Sequence, residues 1–124
     1  MSDGGPVLVV DDDASIRDAV RDVLESAGIA VETAANGADA LEKVSRHRPR
    51  LVLLDMRMPV LDGWGFASAL QERGLALPVV VMTAAADAGR WADEIGAIGV
   101  VAKPFGIAEL VDAVNRYSGA GPEN

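Results

Sequence analysis

The chain has 124 residues, half of them hydrophobic but only 4% aromatic, and its 11 Lys and Arg against 19 Asp and Glu give a formal charge of −8. That length suits one domain burying roughly two-thirds of its unfolded surface, and the acidic balance argues against an electrostatic nucleic-acid footprint. The lack of cysteine excludes disulfides, thiolate chemistry and cysteine-ligated zinc; the first six residues do not read as a signal peptide and no apolar run approaches the ~20 residues of a membrane span, so a cytoplasmic protein with no membrane partner is expected.

Strand-like and helix-like segments alternate five times. Residues 6–10 are apolar and run into Asp11, Asp12 and Asp13. Ile16, Ala19, Val20, Val23, Leu24 and Ala27 then recur at helical spacing, with Arg17, Asp18, Arg21, Asp22 and Glu25 on the opposite, solvent side. Asp13 is placed to cap this helix and Gly28 to end it. Residues 30–34 are more polar and suit an edge strand. Leu41 and Val44 mark a second helix, closed by Arg46-His47-Arg48 before Pro49, basic residues that suit a helix C-terminus. His47 reads as a solvated helix-end residue.

Residues 51–54 are again apolar and lead into Asp55. Phe66, Ala67 and Leu70 mark a third helix ending at Gly74, entered through the turn pair Asp62-Gly63. A fourth strand at 79–82 leads into Thr83 and then Ala84-Ala85-Ala86-Asp87-Ala88-Gly89, a small-residue stretch that predicts a flexible loop before a short, weakly patterned helix near 88–95. A fifth strand at 99–102 leads into Lys103-Pro104, and Ile107, Leu110, Val111, Val114 and Tyr117 mark the last helix. Trp64 and Trp91 are expected to pack partly at the surface. The chain divides into an extension at 1–5, a folded domain at 6–117 and a flexible tail at 118–124.

A (βα)5 order implies right-handed crossovers and an open, doubly wound α/β fold, with a five-stranded parallel sheet between two helix layers. Four of the strands are almost continuously apolar, as parallel strands covered on both faces require. Ligands of such sheets sit beyond the carboxyl ends of the strands, at the switch point. In a flavodoxin-like order 2-1-3-4-5 the first and third strands adjoin there. Asp11, Asp12 and Asp55 then lie side by side, with Thr83 and Lys103 on the same edge. Carboxylates so placed repel, and a divalent cation relieves them, which points to a Mg²⁺ site around one reactive carboxylate.

With these pieces in order the chain resembles the response-regulator receiver domain of two-component signalling, the CheY-like family, over about residues 6–117. The resemblance rests on Val7-Leu8-Val9-Val10-Asp11-Asp12-Asp13, on Asp55-Met56-Arg57-Met58-Pro59 with Asp62-Gly63, on Met82-Thr83-Ala84, and on Lys103-Pro104-Phe105. It implies that Asp55 accepts a phosphoryl group from a sensor histidine kinase or phosphotransfer protein. It further implies that Mg²⁺, with Mn²⁺ as a substitute, is held by Asp12 and Asp55 directly, by Asp11 through water and by the main-chain carbonyl of Arg57. Lys103 would pair with one phosphate oxygen; the Thr83 hydroxyl, helped by the Ala84 N–H, would bind another. The Lys103-Pro104 bond resembles the family's cis peptide. Such a protein catalyses only its own phosphorylation and dephosphorylation, and acts through altered contacts with a downstream protein target rather than with nucleic acid.

The chain departs from the family at several places. Val100, three residues before Lys103, replaces the Tyr or Phe that in many relatives swings inward on activation, so the output needs another bistable element. The stretch from Thr83 to Lys103 is shorter than in many relatives. Gly106 is a poorer helix cap than Asp or Ser, which predicts a frayed start to the last helix. Arg57, bulky enough to cover the phosphate, and Ala85, with no group to orient water, predict slow self-dephosphorylation. A haloacid-dehalogenase-like phosphatase is disfavoured because Arg57 stands where its second acid would be. Nucleotide binding is disfavoured because the first strand leads into aspartates and not a glycine-rich loop. A degenerate receiver, acting as a phosphorylation-independent interaction module, is the alternative reading.

Overall fold

The computed structural model describes residues 5–84 and 86–118. Of the extension expected at 1–5 and the tail expected at 118–124, residues 1–4 and 119–124 fall outside these residues, as does Ala85, while Ser118 is the last residue of the final helix rather than part of a tail. Five strands and five helices alternate: β1 (Val7–Val10), α1 (Ala14–Ser26), β2 (Val31–Ala34), α2 (Gly37–Arg46), β3 (Leu51–Leu54), α3 (Gly63–Glu72), β4 (Val79–Thr83), α4 (Ala88–Ile95), β5 (Gly99–Ala102) and α5 (Ile107–Ser118). All strand pairs are parallel, in the order β2-β1-β3-β4-β5. This is the doubly wound, flavodoxin-like architecture expected, with the more polar β2 at an edge.

The period of two along each strand divides the core into two layers. Leu8, Val10, Val52, Leu54 and Val81 pack with Leu41, Val44, Phe66, Leu70 and Trp91 beneath α2, α3 and α4. Val7, Val9, Leu51, Leu53, Val80 and Met82 pack with Val20, Leu24, Leu110 and Val114 beneath α1 and α5. Trp64 is partly exposed, as expected, but Trp91 is not: it is 4% exposed. The amphipathic spacing of a short helix did not show that its one large ring faces inward.

The helix ends are built by local chemistry. The Asp13 side chain accepts from the N–H groups of Ser15 and Ile16 at the start of α1. Asn36 does the same for Asp39, and Asp62 for Gly65. Gly28, just beyond α1, has φ +82°, the left-handed conformation that glycine adopts without strain. Gly106 has no side chain to cap α5, but its N–H donates to Glu109 Oε1 at 2.8 Å, half of a capping box. Asp87 makes no side-chain cap bond to α4.

Arg17 and Arg21 depart from the expected solvent-facing role. Both are half-buried. Arg17 reaches back to the Asp11 main-chain carbonyl at 2.6 Å, and Arg21 to the Thr33 hydroxyl at 3.2 Å. Their long stems lie along the helix flank and carry the guanidinium groups to β1 and β2.

Candidate functional site

Strand register creates the site. Val10 lies opposite Leu54 in the β1–β3 pair, and the Asp55 N–H continues the ladder to the Val10 carbonyl at 2.9 Å. Asp11 and Asp55 therefore leave the sheet as neighbours. Thr83 pairs with Ala102 across β4 and β5, and the Lys103 N–H bonds to the Thr83 carbonyl at 3.0 Å. The Lys103-Pro104 peptide is cis. The β3–α3 connection closes over the same edge, where the Gly63 N–H bonds to the Met56 carbonyl at 2.9 Å. A Cβ at Gly63 would stand 2.8 Å from the Met56 Cα, so only glycine permits this approach.

The structure brings the expected residues together. Asp11, Asp12 and Asp55 each offer an oxygen within 4.8 Å of the others. Asp11 is buried and fully engaged: Oδ1 accepts from the Asp13 N–H at 2.9 Å and Oδ2 from Lys103 Nζ at 2.7 Å. Asp12 is exposed. Asp55 is 8% exposed, and Lys103 Nζ stands 3.9 Å from its Oδ1. Thr83 is buried at the end of β4, and Ala84 is exposed beside it.

Burial, followed by repulsion from Asp11, raises the Asp55 pKa to about 6; Lys103 opposes the rise, and Asp12 adds to it. Asp13 moves the other way. The Ser15 hydroxyl, 2.6 Å away, and the Ser15 N–H hold its carboxyl below the usual range. Asp13 is thus a helix cap and not a member of the acidic cluster.

The donor set suits a hard cation. Three carboxylates converge, one of them raised in pKa by burial and by repulsion from Asp11 despite the ammonium beside it, and such oxygen donors match Mg²⁺ or Mn²⁺. A shallow depression of about 460 Å³, lined by Ile16, Ala19, Ala84, Pro104 and Phe105 among others, adjoins Lys103. A larger groove of about 910 Å³ between α3 and α4 touches none of Asp11, Asp12, Asp55, Thr83 and Lys103.

Two features of the site were not foreseen. One is the Arg17 bond to the Asp11 carbonyl. The other is the Arg57 side chain. Instead of covering the carboxylates, its guanidinium lies over the Trp91 ring, 5.0 Å from the centroid. Trp91 in turn meets Trp64 edge to face, with centroids 5.1 Å apart. The quadrupole of a buried indole attracts a cation that would otherwise sit in water; nothing in the spacing of residues 57 and 91 signals this.

Residues 7–115 match the family model for the response regulator receiver domain. The chain is 39% identical over 113 residues to sporulation initiation phosphotransferase F of Bacillus subtilis, covering 90% of this chain and 91% of that protein. It is 41% identical over 114 residues to the DNA-binding transcriptional regulator NtrC of Escherichia coli, covering 90% of this chain but only 24% of NtrC, so it spans about a quarter of that relative's length. Its fold is similar to that of the Vibrio cholerae chemotaxis protein CheY4, with a TM-score of 0.84 and 33% identity over 93% of this chain and 99% of that one. No helix among the described residues is long and apolar enough to cross a membrane. The carboxyl-edge cluster, the strand order and these similarities together make this chain a member of the response regulator receiver domain family of two-component signalling.

Proposed function

We propose that this protein is a phosphorylation-operated switch in which Asp55 is the phosphoacceptor. The observation that carries this reading is the convergence of Asp11, Asp12 and Asp55 within 4.8 Å, with Lys103 Nζ 3.9 Å from Asp55. An Asp55 oxygen attacks the phosphorus of a phosphohistidine on a sensor kinase or phosphotransfer protein. A new O–P bond forms, the N–P bond breaks, and the departing imidazole takes up a proton. The product is an acyl phosphate, and water later cleaves it in a reaction this site performs only on itself.

Asp12 and Asp55 would hold Mg²⁺ or Mn²⁺ directly, with Asp11 through water and the Arg57 main-chain carbonyl completing the protein's share. The cation supplies neutralisation of charge on the transferring group. Lys103 is placed to pair with one phosphoryl oxygen, and the Thr83 hydroxyl and Ala84 N–H with another. Burial of Asp55 and Asp11 keeps bulk water from the reacting oxygen. The relatives are response regulators and a phosphotransferase, which supports a kinase or phosphotransfer protein as donor.

Intact-mass measurement after incubation with Mg²⁺ and acetyl phosphate tests the reading. One added phosphoryl group, absent in Asp55→Ala, is expected. No addition from acetyl phosphate or from candidate kinases, with the protein folded, would instead favour an interaction module that kept the fold and lost the chemistry.

A further inference from the structure

Arg57 belongs to the loop that carries the site, but its side chain belongs to α4. It stands two residues after Asp55 in the chain, so the two Cα atoms are at most about 7 Å apart, a gap that an extended arginine and an aspartate side chain together can close. The guanidinium nevertheless lies on the Trp91 ring, which is buried beneath it.

We propose that Arg57 is a phosphate-binding arm held in reserve on Trp91: phosphorylation of Asp55 draws the guanidinium off the ring and uncovers an indole face on α4 as the signal read by the protein target. The inference rests on Asp55 being the phosphoacceptor. A phosphoryl group brings close to two negative charges and three acceptor oxygens. A guanidinium binds such a group through two parallel hydrogen bonds, which outweigh its attraction to a ring face at the protein surface. With a carboxylate alone at residue 55 the balance lies with Trp91; with an acyl phosphate it reverses. A single side-chain rotation makes the exchange.

The surroundings of Trp91 fit a helix that responds. Trp64 on α3 touches the ring edge to face, and its Nε1–H donates to Glu94 Oε1 of α4 at 2.9 Å. α4 is thus tied to α3 through one indole pair and one polar bond, while its own first turn lacks a side-chain cap. Val100 packs against the same layer of the core and has no ring to swing. The Arg57–Trp91 contact thereby stands where an aromatic switch is missing, and couples residue 55 to α4 through a cation instead of a hydroxyl.

The chain has two tryptophans, so Trp64→Phe leaves Trp91 as the sole reporter. Acrylamide quenching of Trp91 is measured with Mg²⁺ alone and after adding beryllium fluoride or acetyl phosphate, with intact mass recorded alongside. The quenching constant is expected to rise about twofold on activation, as a covered ring face becomes accessible. Arg57→Ala in the same background is expected to show the high value from the start, with little further change. Labelled arginine side chains give a second readout in the unsubstituted protein. The Arg57 Nε–H resonance, shifted upfield by the indole, should move downfield with beryllium fluoride. Phosphoryl uptake with unchanged quenching and an unmoved resonance would overturn the arm while leaving Asp55 as phosphoacceptor. An equal quenching rise in Arg57→Ala would also overturn it. No uptake and no response to beryllium fluoride in folded protein would overturn the functional reading, and the arm with it.

Discussion

Lys103 Nζ stands 2.7 Å from Asp11 but 3.9 Å from Asp55. The ammonium is engaged chiefly with the buried carboxylate that is not the proposed phosphoacceptor. Burial of Asp55 and repulsion from Asp11, which Lys103 opposes only in part, therefore raise its pKa. Relief must come from a cation or from protonation.

Relief by a cation is measurable as stability. A divalent ion that binds only the folded state stabilises it by about 2.7 kcal/mol at a hundredfold excess over Kd. Thermal unfolding with and without Mg²⁺ should show this gain as a higher Tm. Asp12→Asn removes a carboxylate that is exposed and free of any helix-cap role, and should lose most of the gain while remaining folded. An unchanged response in that variant would place the ion elsewhere.

Relief by protonation sets a pH dependence. The folded Asp55 pKa, about 6, lies above the ordinary 3.8. Its contribution to stability is therefore fully present below pH 3.8 and is lost as pH rises through 6. The full span corresponds to about 3 kcal/mol for this buried group. In chelator, Asp55→Asn should stabilise the protein by up to that amount at pH 7.5 and change it little near pH 4. Urea unfolding at the two pH values decides; an equal difference at both would mean that Asp55 titrates as it would in water.

Val60 sits in the loop after Asp55 with φ +71° and is 80% exposed. A β-branched residue in the left-handed region is strained, and no burial offsets it. Val60→Gly should stabilise the protein by about 0.5–1 kcal/mol, the relief of strain less the greater chain entropy of glycine. The urea midpoint should rise with the slope unchanged. Val60→Ala, still an L-residue, should gain little.

Arg17 ties α1 to the main chain at Asp11. Arg17→Met keeps much of the stem and removes the charged hydrogen bond. A loss of about 1–2 kcal/mol in stability is expected, together with weaker Mg²⁺ binding as Asp11 and Asp12 lose their support. Calorimetric titration of Mg²⁺ checks the second part. An unaltered affinity would confine Arg17 to a structural role.

The order of elements, the parallel sheet, the cap of α1 and the membership of the edge cluster were legible in the sequence. Those signals are local. An apolar run ending in Asp11, Asp55 or Thr83 marks a strand and its carboxyl end at once, and Asp13 caps a helix through bonds to residues two and three places on. With a right-handed (βα)5 order, the register then has almost no freedom. Tertiary structure decided what depends on long side chains and on distant segments. Lys103 pairs with Asp11 across 92 positions of sequence. Arg17 turns back to β1, although the helical pattern assigned it to solvent. Arg57 finds the ring of Trp91, on a helix too short and weakly patterned to show that the ring faces inward. Periodicity tells which side of an element is buried; where a flexible arginine or lysine ends is settled by the charges and ring faces that the fold brings within its reach.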